Sequence, residues 1–545
     1  MNYITSTNLH FASPSRFGWG LVGVICLLSL AVIAMATLLK EGFSQSALFS
    51  LFHSAYFKHS LIVTFQQAFL SVLGASFFGI AGAVVFHRRS HFPLRRFILA
   101  GCFISMIMPT TVAALALLKL WGKSGFLAAI GLDGFIPDRL GLWSVILAHI
   151  FFNAPLIMRV CLSALDRVSL SQRRQAAMMG LSALSHFRYL EWPAIRNVLP
   201  SIMGLVLLLC VTSFSLILML GGGPAVTTLE VSIYTALRFD FDVSKAAILC
   251  LIQLGICSVI LLSFKPSSHS SPTAAIDTPS PISRPDSNNR FVQLFDISII
   301  CFFVILNIVP LLLLLADGDY ASGVYILATE RFWNAFGNSI GLACLSALLS
   351  LFLSFMLVCL AHEAYLRKLA YMIKLIEISH SVFLLVPAIV LGTSLFILLR
   401  TYIDVFSQGF WIMMVGNALL SLPFCYRIIA PSFLRHLQST DRLCASLHIK
   451  GLSRFIHITA PAMQIEFSFA FGLAAALSFG DLGIITLFGS QNFETLPYML
   501  FQYLNRYGAV EADILALILL LTALCLYGLA QKLPVMISRL SKRSA

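Results

Sequence analysis

Apolar runs of about twenty residues recur twelve times along this chain. They lie near 18–39, 60–86, 97–120, 141–164, 198–220, 244–264, 294–315, 338–361, 375–399, 410–431, 463–488 and 512–530. A run of that length spans the bilayer hydrocarbon as a helix, the one open-ended segment that satisfies all its backbone polar groups internally. The pattern therefore dictates an all-α polytopic membrane protein. Composition agrees: 59% of the 545 residues are hydrophobic and 11% charged, where a soluble chain carries about twice that charge. Alternating ten-residue strands are absent, which excludes an outer-membrane barrel. The first run contains Ala34-Met35-Ala36, a small-x-small pattern, but its 23 residues from Phe17 to Leu39 exceed a signal-peptide core. We read it as a span.

The basic residues set the orientation. With the N-terminus cytoplasmic, most of the 36 Lys and Arg fall on the inner side, Arg88, Arg89, Arg95 and Arg96 prominent among them. The positive-inside rule then places both termini in the cytoplasm. The net charge of +13 reflects this bias. It does not point to nucleic acid, because no basic segment carries base-stacking aromatics on a soluble face. The 12 cysteines are scattered singly, with no CxxC and no Cys/His cluster. They read as small apolar core residues rather than disulfides or metal ligands.

Residues 266–289 hold 5 Pro and 7 Ser. Too little apolar surface is available there to order the stretch, so it reads as a flexible cytoplasmic linker. We expect a first half at 1–264, a linker at 265–293 and a second half at 294–545, with six spans in each half. The halves echo one another. HSLIVTFQQAFLSVLG from His59 resembles NSIGLACLSALLSLFL from Asn338, and PTTVAALALL from Pro109 resembles PAIVLGTSLF from Pro387. Gly180-Leu181-Ser182 is matched by Gly451-Leu452-Ser453, and Thr228-Leu229 by Thr495-Leu496. Six spans per half give both halves one orientation, a parallel repeat about an axis normal to the membrane. Such a repeat encloses a path for a small solute.

Between the fourth and fifth spans of each half lies a basic, partly helical loop. RRQAAMMGLSALSHFRYLEWPAIRNVLPS runs from Arg173 and DRLCASLHIKGLSRFIHITAPAMQ from Asp441. Gly ends a helix in the left-handed conformation without a Cβ clash, and Pro suits the first turn of the next. The loops, 165–197 and 432–462, are expected to protrude as helix–turn–helix units. Leu181, Leu184 and Phe187 form one apolar ridge in the first, and Leu452, Phe455 and Ile456 the other. An amphipathic loop resting on lipid headgroups is the plainer alternative. Recurrence in both halves favours two symmetric cytoplasmic partners.

These loops resemble the "EAA" loop of binding-protein-dependent ABC-transporter permeases. Gly180, Phe187 and Pro193 match that pattern's Gly, aromatic and Pro. The triplet is degraded to Arg174-Gln175-Ala176 and, in the second half, Ala445-Ser446-Leu447. The resemblance implies that the loops couple the chain to two copies of a cytoplasmic ABC ATPase, which binds the ATP and Mg. It further implies a periplasmic binding protein and a bacterial inner-membrane location. Over longer matches, LGGGPAVTTLEVSIYTAL from Leu220 and SFGDLGIITLFGSQNFETLPYMLFQYL from Ser478, the chain is similar to the fused permeases for thiamine. That similarity implies thiamine, and its phosphates, as the cargo. Fused ferric-iron permeases share the architecture and are the alternative.

A major-facilitator secondary transporter also has twelve spans, parallel halves and a central linker. Its Gly/Asp/Arg loop between spans two and three is absent, since that loop here reads HRRSHFPLRR. No cofactor or metal site, and no catalytic constellation, is evident. The one Walker-like fragment, Gly122-Lys123-Ser124, has Leu117 where the first Gly belongs, so ATP hydrolysis is expected on another subunit. Gly221-Gly222-Gly223-Pro224 reads as an outer turn. Asp481 stands inside the apolar run FGLAAALSFGDLGIITLFG. A carboxylate there faces either a wet path or a hydrogen-bonding neighbour. We assign Asp481, with Ser213 and Ser478, to the substrate path.

Overall fold

The computed structural model describes residues 14–42, 49, 51–122, 125–131, 141–264, 289–316, 324–449, 451–490, 493–505 and 509–543. Most of the expected linker and part of the Walker-like fragment, Lys123-Ser124, lie outside them. Within them the chain is helical, with one isolated bridge between Ser490 and Phe493. Among the described residues nine helices are long and apolar enough to cross a membrane, and counting each of three sharply bent pairs as one span raises this to twelve.

The first half runs α1 (Pro14–Gly42), α2 (Ala55–Arg88), α3 (Arg95–Ile107), α4 (Thr110–Trp121), α5 (Leu142–Asp166), α6 (Leu170–Met178), α7 (Ala183–His186), α8 (Trp192–Arg196), α9 (Leu199–Val211), α10 (Ser215–Leu220), α11 (Leu229–Arg238) and α12 (Val243–Ser263). The second runs α13 (Arg290–Phe303), α14 (Val309–Ala316), α15 (Glu330–Leu366), α16 (Ala370–Leu385), α17 (Ala388–Leu399), α18 (Gly409–Ser446), α19 (Gly451–Arg454), α20 (Ala460–Ala462), α21 (Gln464–Phe479), α22 (Ile485–Phe488), α23 (Leu496–Asn505) and α24 (Ala509–Arg543).

The repetition extends to local defects. Pro109 opens α4 after a break at Met108, and Pro387 opens α17 after a break at Val386. Proline lacks the N–H that would continue the preceding helix and restrains the residue before it to extended backbone, which places both breaks. A π-helical turn recurs in both loops, at Phe187–Glu191 and Phe455–Thr459. The first N–H of each short helix α11 and α23 is capped by a hydroxyl from the long helix of its half. Leu229 N donates to Thr64 Oγ1 at 3.0 Å, and Leu496 N to Ser339 Oγ at 2.8 Å.

The leading helix of each half packs on the other half. Helix α1 lies against α15, α16 and α17, while α13 and α14 lie against α2, α3 and α4. The crossing of α1 over α15 is close: a Cβ on Gly20 would fall 2.4 Å from the Leu360 Cβ. Two polar clasps pin these exchanges. Asp296 on α13 accepts from Arg88 Nη1 at 2.7 Å and Arg89 Nε at 2.8 Å. On the opposite exchange the Arg367 guanidinium sits 4.5 Å from the Phe17 ring centre. A further pair, Lys119 Nζ to Asp513 Oδ2 at 3.0 Å, joins α4 to α24. Two buried apolar clusters fill the interior, and each draws residues from both halves.

Candidate functional site

Two features stand apart from plain helix packing: the paired loops between α5 and α9 and between α18 and α21, and the interruptions that follow them.

In the first loop Ser169 caps α6 through a capping box with Gln172. Gly180 ends that segment at φ +59°, its N–H bonding to Ala177 O and that of Leu181 to Ala176 O. This left-handed ending closes carbonyls the helix leaves open. Ser182 then caps α7, accepting from Ser185 N at 3.3 Å. The second loop differs from expectation. Helix α18 runs unbroken well past its apolar run, and the left-handed residue ending it is His448 (φ +56°), with Ile449 N bonding to Cys444 O. Gly451 (φ +61°) instead begins α19. Histidine tolerates the left-handed region better than most residues, so it replaces the expected glycine.

The expected ridges are also re-sorted. Leu184 is 76% exposed, but Phe187 turns inward against the core and Leu181 is half-buried. In the second loop Ile456 is exposed, whereas the Phe455 ring packs 5.1 Å from Phe355. The side chain of Leu452 lies outside the described residues. The π turns explain the sorting. Each adds a residue to its helix, rotating Phe187 and Phe455 inward while Pro193 and Pro461 open the segments that follow. The exposed apolar face is completed by Met178, Met179 and Tyr189 in one loop and Leu443 and Leu447 in the other. Sequence reasoning passed over these five because four precede the glycine and Tyr189 lies within the π turn. The four-residue spacing of Leu443 and Leu447 was the one available signal.

Each loop is rooted in a buried ionic cluster. His87, at the end of α2, sits 3.8 Å from Glu191 and 4.0 Å from Asp166, and His186 lies 3.6 Å from the same Glu191. In the second half Asp441 takes His362 of α15 at 2.8 Å and Arg454 at 2.6 Å. Arg173, beside the first cluster, donates to Leu165 O at 2.7 Å. Burial lowers its guanidinium pKa against the opposing pull of Asp166 and Glu191. Each loop is thereby tied to a long helix of the bundle, the first to α2 through His87 and the second to α15 through His362.

Beyond the loops, α9 stops at Val211 and resumes as α10, while α21 stops at Phe479 and resumes as α22. Carbonyls freed at such breaks need partners inside the fold. Gln67 Nε2 donates to Cys210 O at 2.8 Å and Gln253 Nε2 to Val211 O at 3.1 Å. Ser213 lies in the first break, its N–H directed to Cys210 O. In the last turn of α21, just before the second break, Ser478 accepts from Asn417 Nδ2 at 3.0 Å. The Asp481 carboxylate accepts from Gly483 N at 3.1 Å and Ile484 N at 3.3 Å. It thus caps the turn leading into α22, so the hydrogen-bonding neighbour that the sequence left open is its own backbone. Among the described residues no group of three or more His, Cys, Asp or Glu is placed to hold a metal.

A bundle of crossed-over halves, broken membrane helices and paired protruding loops defines a transport permease. The family model for the inner-membrane component of binding-protein-dependent transport systems matches residues 75–265. Near-full-length relatives extend the match to the whole chain. It is 35% identical to the thiamine transport system permease protein ThiP of Brucella abortus over 520 residues, 94% of each chain. It is 32% identical over 525 residues to ThiP of Escherichia coli, covering 95% of this chain and 97% of the relative. Identity to ThiP of Haemophilus influenzae is 32% over 511 residues, 90% of this chain and 93% of the relative. The chain belongs to this family of multi-pass inner-membrane permeases. It is a transporter component and not an enzyme: such a permease works with a periplasmic binding protein, and a separate ATPase subunit hydrolyses the ATP.

Proposed function

We propose that this chain carries thiamine across the bacterial inner membrane by alternating access between two permease halves, 1–264 and 294–545. The observation that carries the reading is identity of 32–35% to thiamine permeases over more than nine tenths of the chain. The chemistry is consistent with it, since buried polar side chains, Gln67, Gln253, Asn417 and Ser478 among them, stand at the helix breaks. A ferric-iron permease shares the architecture and is the alternative.

The loops 165–197 and 432–462 each receive one copy of the ATPase, with Gly180, Leu181, Leu184, Phe187, Pro193, Gly451, Leu452, Phe455 and Ile456 as coupling residues. Support comes from the paired exposed faces and their rooting in α2 and α15. Leu184 and Ile456 make the contact, while Phe187 and Phe455 brace it from within. Both termini and the linker are cytoplasmic. The opposite face receives a thiamine-binding protein, and lipid surrounds the outer helices.

Reconstitution tests this reading. The chain, its ATPase and its binding protein in proteoliposomes should accumulate labelled thiamine with ATP inside, and unlabelled thiamine should compete. Accumulation of ferric iron without thiamine would overturn it.

A further inference from the structure

The acid that sequence singles out, Asp481, is satisfied by its own backbone. Another is not. Glu230, at the start of α11, is 0% exposed and makes no ion pair among the described residues. Its Oε1 accepts from Gln253 Nε2 at 2.8 Å, and that same amide bridges to Val211 O at the break of α9. Glu230 Oε2, Gln253 Oε1 and Thr228 Oγ1 have no hydrogen-bond partner. Burial pushes the Glu230 carboxyl well above the usual carboxylate range, so it holds its proton while enclosed, and a cation brought to its orphaned oxygens would favour the ionised form.

The surroundings fit an aromatic cation. Tyr234, four residues on, shares the helix face of Glu230. Its ring meets Phe214 edge-on, with centroids 5.4 Å apart, and Phe214 lies at the break of α9. Ring faces and a carboxylate together are the groups that hold an organic cation. The place is also right: α11 packs against α17 and α22 of the second half, so these three side chains lie at the seam between the halves. Arg238, at the far end of α11, is engaged with Gly489 O and the Phe406 ring.

Resting on the thiamine reading, we propose that Glu230, with Tyr234 and Phe214, is the site that recognises the cationic ring of the substrate as the halves part. The seam is closed over it in this conformation. Opening between α11 and α17 presents the carboxylate to the path, and the positive ring exchanges water for it.

The test uses the importer assembled with its ATPase and binding protein, after wild-type thiamine uptake has been established. If the wild type moves no thiamine, the transport reading fails and this site is not at issue. Given uptake, Glu230→Gln keeps the shape and the hydrogen bond to Gln253 but removes the charge. Uptake per molecule should fall about tenfold or more, and wild-type uptake at equal membrane amounts would overturn the proposal. A measurement on the wild type guards against a variant that fails to insert. Labelling of Glu230 by an apolar carbodiimide, read by mass spectrometry, should be slowed by thiamine and not by an analogue with an uncharged ring in place of the thiazolium. Absent labelling throughout, or labelling indifferent to thiamine, would also overturn it.

Discussion

Two residues carry the clearest single-site expectations. Gly180 and Gly451 hold φ near +60°, and a Cβ at either would meet no atom within 4 Å. Substitution by Val therefore costs backbone strain alone, about 1–2 kcal/mol, too little to unfold the bundle. Both variants should reach the membrane in normal amounts, yet retain less ATPase on affinity purification. Undiminished ATPase recovery with both would separate these loops from coupling. At Asp481 the backbone hydrogen bonds make the prediction. Asp481→Asn keeps an acceptor and should transport normally per molecule, whereas Asp481→Ala orphans two N–H groups and loses about 1–2 kcal/mol. The aggregation temperature in detergent reads the difference, and lost uptake by Asp481→Asn at normal membrane amounts would show that its charge serves the substrate path. Asp481 drew attention because it interrupts an apolar run. Glu230 did not, because TLEVSIYTAL is short and polar enough to pass for an outer loop. Its burial comes from α12, where Gln253 meets it, and from the packing of α11 on α17 of the other half, and local pattern carries no trace of that.

Secondary elements were easier to read than their irregularities. Every apolar run became one helix or helices separated by a short break, since hydrocarbon leaves the backbone little choice. Pro109 and Pro387 were visible as matched residues of repeated segments, but the spans 97–120 and 375–399 were read straight through them, and the breaks came only with the structure. The π turns were not visible either. Nothing in FRYLE or FIHIT announces one extra residue per turn, because that choice is made by what the surrounding helices accept. Their recurrence makes them testable as elements. Inserting one Ala after Leu190 adds a residue beyond the one the π turn absorbs and should rotate α8 by about 100°. The expected protein is inserted and folded, but its exposed Leu184 face and its Glu191 root no longer align. Protease protection of the bundle should persist while ATPase binding is lost. Wild-type ATPase binding by this insertion would show that the register across the turn is incidental.

At the scale of the molecule, the exchanged leading helices hold the halves together more firmly on one side than on the other. Asp296→Asn removes a buried carboxylate shared by two guanidinium groups, a change of about 3–5 kcal/mol. Phe17→Leu removes a cation–π contact of about 0.5–2 kcal/mol. After proteolytic cutting within 266–288, the wild-type and Phe17→Leu halves should stay together in detergent, and the Asp296→Asn halves should separate. Equal behaviour of all three would place the cohesion elsewhere. The exchange also sets a schedule for synthesis. A ribosome delivers α1 to the membrane long before α15, α16 and α17, the helices that cover one of its faces, have been translated. Until then that face, Gly20 included, is open to lipid, and a chain stopped after its first six spans would keep it open indefinitely. Covering of that face therefore waits until α15, α16 and α17, which end at Leu399, have entered the membrane.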